Sequence, residues 1–205
     1  MNNIIYPFQI PLYHSIFEEK IFKSIKIEVL KYIDSNFNLF KENWDCSTLS
    51  NFGTDLKNQF INKILNQQIK NFTKNYLNEW DLDFKNKVKF LIDETWINIS
   101  PPKAFQETHH HLKPPTKSLS GKYSLFSGVF YINAIKNSGN LVLKNPNNIN
   151  LNLFPFTTKN PNNITITPNP GHFIMFPSYL EHLVSPNQTN ENRISISFNI
   201  LYKYK

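Results

Sequence analysis

The 205-residue chain is 40% hydrophobic, 15% aromatic and 18% charged, enough apolar material for a packed core and too much for a disordered chain. Its single cysteine, Cys46, excludes an intrachain disulfide and a cysteine-based metal site, which suggests a reducing compartment. No apolar run approaches the roughly 20 residues that span a bilayer, and the first seven residues lack the basic start and apolar stretch of a secretory leader, so a soluble cytoplasmic protein is expected. The formal net charge is +7, but 21 of the 22 basic residues are lysines, scattered singly among 30 asparagines. Such usage reads as the imprint of an AT-rich coding sequence, and nucleic-acid binding is not the favoured function.

In chain order, residues 3–13 should be extended, because Pro7 and Pro11 break a helix. Phe17, Ile21, Ile25, Val29 and Ile33 recur at every fourth position and predict an amphipathic helix over 15–34. A second helix is expected after the Thr54-Asp55 cap, with Ile61, Leu65, Ile69, Phe72 and Tyr76 on one face and an end near Leu77. Both stripes read as packing surfaces. Beyond residue 85 the pattern changes to short strands separated by Pro, Asn and Gly turns. Candidates cover 87–99, 104–111, 123–134, 140–144, 163–167, 171–177 and 192–203. This spacing predicts an antiparallel sandwich or jelly roll. The chain reads as a single domain over 1–205: mainly β with N-terminal helices (α+β), the helical support in 1–85 and the β core in 86–205.

Chemistry concentrates in the histidines. His109 and His111 should share one face of an extended segment, with His110 on the other. Two imidazoles on one face begin a metal site, and His182 is the natural third ligand from a distant strand. Arg193, the sole arginine, lies eleven residues after His182 and opens a strand. A planar guanidinium grips a carboxylate through two parallel hydrogen bonds, which lysine cannot do. Arg193, Ser195, Ser197 and Asn199 alternate with Ile194, Ile196, Phe198 and Ile200. A stripe of one cation, two hydroxyls and an amide fits a polar pocket better than an open surface.

His-x-His, then Phe176-Pro177-Ser178-x-Leu180-x-His182-x-Val184, then Arg193-x-Ser195 resembles the iron(II)/2-oxoglutarate-dependent dioxygenases. Trp96-Ile97-Asn98, Gln106-Glu107-Thr108-His109-His110-His111, Ser127-Gly128-Val129-Phe130-Tyr131 and Arg193-Ile194-Ser195-Ile196-Ser197-Phe198-Asn199 are closest to its 2OG-Fe(II) oxygenase subfamily, over about 95–200. The resemblance implies a double-stranded β-helix (a jelly roll) carrying iron(II), with 2-oxoglutarate and O₂ as cosubstrates. It implies that His109, His111 and His182 hold the metal, with no catalytic side chain beyond the ligands. Arg193 would receive the distal carboxylate of 2-oxoglutarate, helped by Ser195 and, as a weaker candidate, Tyr131; Asn199 is a further candidate on the same face. The reaction implied is hydroxylation of a C–H bond with release of succinate and CO₂. The usual triad has a carboxylate two residues after its first histidine, where this chain has His111. Glu107, on the His109 face, is the alternative ligand.

Two rival readings are a cupin-like metal-binding barrel, which would have no use for Arg193 and Ser195, and a basic nucleic-acid-binding module, whose binding would be strongly salt-dependent. Substrate is not legible in any motif; a peptidyl or free amino-acid side chain is the first expectation. The segment 112–122, basic and stiffened by Pro114-Pro115, is a candidate lid, and 145–163 a long loop.

Overall fold

The computed structural model describes residues 10, 12–43, 46–54, 59–79, 87–112, 122–146 and 162–205. Strand β1 (Tyr13–Ile16) precedes helix α1 (Glu19–Ser35), and short strands β2 (Lys41–Glu42) and β3 (Leu49–Ser50) lead to helix α2 (Gln59–Glu79). The remainder is β: β4 (Val88–Ser100), β5 (Gln106–His109), β6 (Lys122–Asn133), β7 (Leu141–Lys144), β8 (Asn163–Ile166), β9 (His172–Pro177), β10 (His182–Val184) and β11 (Arg193–Tyr204). A seven-stranded sheet runs β1-β9-β6-β11-β4-β3-β2 and a four-stranded sheet runs β5-β10-β7-β8. Every strand pair in both is antiparallel. This is the jelly roll expected from the strand spacing.

Period-two alternation in β11 organises the interior. Ile194, Ile196, Phe198 and Ile200 join the larger core beside Ile25 and Val29 of α1, Ile61, Leu65 and Ile69 of α2, and Phe130 and Phe173 of β6 and β9. The helices therefore cover the outer face of the large sheet. A smaller cluster, including Tyr131, Leu141, Leu143, Ile174, Phe176 and Leu180, packs on the inner side. Gly128 makes the outer packing close: a Cβ there would sit 2.2 Å from Phe198 Cζ and 2.5 Å from the Ile174 carbonyl oxygen.

Two expectations are corrected. The first helix starts at Glu19 rather than residue 15, because Tyr13–Ile16 pairs with β9 and the Phe17 N–H continues that ladder to the Gly171 carbonyl at 3.0 Å. The strand expected over 104–111 shortens to Gln106–His109, since Ala104 closes a turn onto Pro101 and His111 leaves the ladder. The extended segment 3–13 falls almost wholly outside the described residues, as do Asp55, most of the candidate lid and most of the 145–163 loop. The apolar stripe of α2 packs as expected, with Ile61, Leu65, Ile69 and Tyr76 buried.

Candidate active site

The small sheet brings two histidines together. His109 at the end of β5 is the cross-strand partner of His182 in β10, and their ring centroids are 4.2 Å apart. His111 lies just past β5, its N–H bonded to the Ser178 carbonyl at 2.9 Å, and its ring is 5.2 Å from that of His109 and 5.0 Å from that of His182. The candidate ligand atoms of the three all lie within 4.8 Å of one another. Among the described residues this is the one such cluster of histidine, cysteine and carboxylate groups.

Hydrogen bonding decides which nitrogens face the centre. His109 Nδ1 donates to the Glu107 carbonyl at 2.7 Å, His182 Nδ1 to the Leu180 carbonyl at 3.0 Å, and His111 Nδ1 to Asn199 Oδ1 at 2.7 Å. A carbonyl oxygen only accepts, so each imidazole carries its proton on Nδ1 and keeps the Nε2 lone pair available. Burial depresses all three imidazoles: His109 falls below its ordinary value, His111 is pushed down to about 4, and His182, also facing the other two, falls well below. At neutral pH the cluster is three uncharged nitrogen donors, a set that suits iron(II) as well as zinc, copper and nickel. Glu107 does not join it; its side chain is exposed and its contribution is the carbonyl that orients His109.

The large sheet supplies the opposite wall. On β11, Arg193, Ser195, Ser197 and Asn199 all line a cavity of about 330 Å³ that also reaches the three histidines. Each has a polar or aromatic partner opposite on β4: Ser100, Asn98, Trp96 and Glu94 respectively. On the other side Ser195 pairs with Tyr131 and Asn199 with Ser127 of β6. Arg193 is only 3% exposed. Its Nη1 donates to the Gly139 carbonyl at 3.0 Å and its Nη2 to Ser100 Oγ at 2.9 Å, while Nε has no partner among the described residues. Gly139 must be glycine here: φ is +101°, and a Cβ would approach Arg193 Nη1 to 2.8 Å. Burial pulls the Arg193 pKa down and pushes Tyr131 up to about 12, but a guanidinium remains a cation at neutral pH. A buried cation without a counter-charge calls for an anion. Its cavity, walled by hydroxyls and opening onto the histidines, fits a dicarboxylate whose other end meets a metal.

The structure gives Trp96 and Asn98 of the Trp-Ile-Asn motif a place in the site, and adds residues the sequence reading did not single out. Trp96 Nε1 and Asn98 Oδ1 are buried, line the cavity and have no hydrogen-bond partner among the described residues. Ser100 and Gly139 hold Arg193, and Phe52 closes on Trp96 at 5.1 Å between ring centroids. The alternation of β11 marks its own stripe, but the partners on β4 require the register. His172 lies away from the cavity, on the β1–β9 edge, where its Nδ1 is 3.1 Å from His14 Nε2.

Residues 94–199, just over half of the chain, match the family described as "Putative 2OG-Fe(II) oxygenase", and the chain belongs to that family. It is therefore an oxidoreductase that uses iron(II), 2-oxoglutarate and O₂. Its fold is similar to that of a prolyl-4-hydroxylase from Pseudomonas putida (TM-score 0.63, 14% identity, 96% of this chain and 94% of that one). It is similar also to the viral collagen prolyl hydroxylase of Paramecium bursaria Chlorella virus 1 in its 2-oxoglutarate complex (TM-score 0.59, 13% identity, 93% and 95%). A third likeness is to HygX of Streptomyces hygroscopicus with nickel, 2-oxoglutarate and hygromycin B bound (TM-score 0.61, 11% identity, 95% and 83%). Comparison with curated proteins returns no sequence match. No helix among the described residues is long and apolar enough to cross a membrane.

Proposed function

We propose that this oxygenase hydroxylates a C–H bond of an amino-acid side chain, peptidyl or free, at a metal held by His109, His111 and His182, with release of succinate and CO₂. The observation that carries the reading is Arg193: a buried cation without a counter-anion among the described residues, in the same cavity as three convergent imidazoles. His109, His111 and His182 would hold iron(II) through Nε2, and the metal would there supply the O₂ activation that couples oxidative decarboxylation of 2-oxoglutarate to substrate oxidation.

The chain's own residues prepare that chemistry. Main-chain and amide oxygens hold each imidazole by Nδ1, so the lone pairs converge without reorganisation. Arg193, with Ser195 and Tyr131 as neighbours, receives the distal carboxylate and thereby sets how deep the 2-oxo acid sits. Phe52, Trp96 and Leu112 line the same cavity and supply apolar wall for the substrate. A cupin-like barrel without a cosubstrate would gain nothing from a buried arginine at this position.

Two of the structural relatives act, by name, on prolyl residues, so proline-containing peptides and free proline lead the assay panel. Each candidate is incubated with iron(II), 2-oxoglutarate and O₂, and succinate is quantified beside the mass of the candidate. Succinate release coupled to the gain of one oxygen atom identifies the substrate. Succinate formation that no amino-acid side chain stimulates would rule out the proposed substrate class.

A further inference from the structure

We infer that Asn199, oriented by Glu94, is the positioning residue for His111, and that this pair stands behind the histidine that occupies the place of the usual ligand carboxylate. The inference rests on the three-histidine reading of the metal site. His109 and His182 are each held by a main-chain carbonyl two residues away in sequence, so their orientation comes with the local backbone. His111 has no such local support. It lies past the end of β5, and its Nδ1 is held from across the cavity by Asn199 Oδ1 on the other sheet.

An asparagine amide can face either way, so something must choose. Asn199 Nδ2 donates to Glu94 Oε2 at 3.0 Å, and a carboxylate offers only acceptor atoms. The amide nitrogen is therefore turned to Glu94 and the oxygen to His111. Ser127 Oγ donates to the same Oδ1 at 2.8 Å, and the Ser178 hydroxyl, 2.9 Å away, donates in turn to Ser127. Ser178 also accepts the His111 N–H through its carbonyl. Every donor has a matching acceptor, and this pattern permits only one His111 tautomer, Nδ1–H with the Nε2 lone pair exposed to the cluster. Three neutral ligands leave the metal with one negative charge fewer than a triad containing a carboxylate. Glu94 places a carboxylate two residues behind the metal site, linked to His111 through a neutral amide.

The test begins with metal-free protein, reading the His111 tautomer from its ring nitrogen shifts by NMR, and continues with anaerobic cobalt(II) titration followed by visible absorption. Wild type should show Nδ1–H at His111. Asn199→Ala should give a tautomer mixture and bind cobalt roughly 10–100-fold more weakly, the usual consequence of losing such a partner. Glu94→Ala, which leaves Asn199 in place, should give the same mixture with a loss of about threefold to tenfold. The paired exchange Asn199→Asp with Glu94→Gln preserves total charge and the donor order, and should restore both the tautomer and cobalt affinity to within about threefold of wild type. Because that exchange keeps both side-chain shapes, the tautomer in the single variants separates a relay from packing, since packing alone would leave it unchanged. An unchanged tautomer and unchanged affinity in both single variants would overturn the inference. If wild type binds no cobalt, or His182→Ala binds it equally well, the three-histidine reading fails, while the NMR result still decides the relay.

Discussion

Arg193 is held by hydrogen bonds to Gly139 and Ser100, yet no carboxylate among the described residues pairs with it. Charge-assisted hydrogen bonds contribute roughly 1.5–3 kcal/mol each. Arg193→Lys keeps the charge and loses the fork, so 2-oxoglutarate affinity should fall about tenfold or more, with metal affinity unchanged. Anaerobic titration of the iron(II)–2-oxoglutarate absorption band measures the first, and cobalt titration the second. The histidines make a different prediction. His111 titrates near 6.5 when unfolded and near 4 when folded, because burial disfavours its charged form. The unfolded chain therefore binds more protons between those values, and stability must fall as pH drops from about 6.5 towards 4. Chelator-treated protein should lose stability progressively across that window, seen as a falling urea midpoint. Saturating metal also keeps the folded-state lone pairs proton-free below about pH 4, so the fall should continue to lower pH instead of levelling off.

Strand β11 serves the core and the cavity through its two faces. Its apolar residues were legible because the alternation is uninterrupted from Arg193 to Ile200, and both faces lie as that alternation implies. The short strands were not legible: β2, β3 and β10 have two, two and three residues, too few for a period to register. They exist because longer neighbours offer them a ladder. Helix α1 lost its first turn to the same effect, since β9 captures Tyr13–Ile16. Strand β6 approaches its neighbours so closely at Gly128 that no side chain fits there. Gly128→Ala would drive a methyl into Phe198 and the Ile174 carbonyl, costing about 1–3 kcal/mol in chemical denaturation. Because Gly128 also lines the active-site cavity, the same variant should weaken 2-oxoglutarate binding only if β6 shifts as a whole.

Across the molecule, the helices and the large sheet share one core, in which Ile25 and Leu65 lie with Phe130, Phe173 and Phe198. This supports our reading of the chain as a single domain in which the helical part braces the catalytic barrel. Leu65 is fully buried, so Leu65→Ala should cost about 2–5 kcal/mol. The loss should appear as one transition with coincident tryptophan fluorescence and far-UV circular dichroism midpoints. Two separate transitions would show instead that the helices fold independently of the barrel. The jelly roll itself solves the problem of carrying a polar site inside a small protein. One sheet contributes His109 and His182, the other contributes Arg193 and Asn199, and the cavity lies between them.

By itself the sequence determined the class of fold, the apolar faces of both helices and the polar stripe of β11, because each depends on a period that local residues express. It also determined which side chains have no common use elsewhere, since one arginine among 21 lysines and three consecutive histidines are chemical choices visible without coordinates. Only the tertiary structure decided what those side chains do for one another. That His111 turns its Nε2 inward depends on Asn199, 88 positions away, and the orientation of Asn199 depends on Glu94, 105 positions away. Such pairings are set by strand register and by the packing of one sheet over another. A one-residue slip in register would turn every one of these side chains to the opposite face.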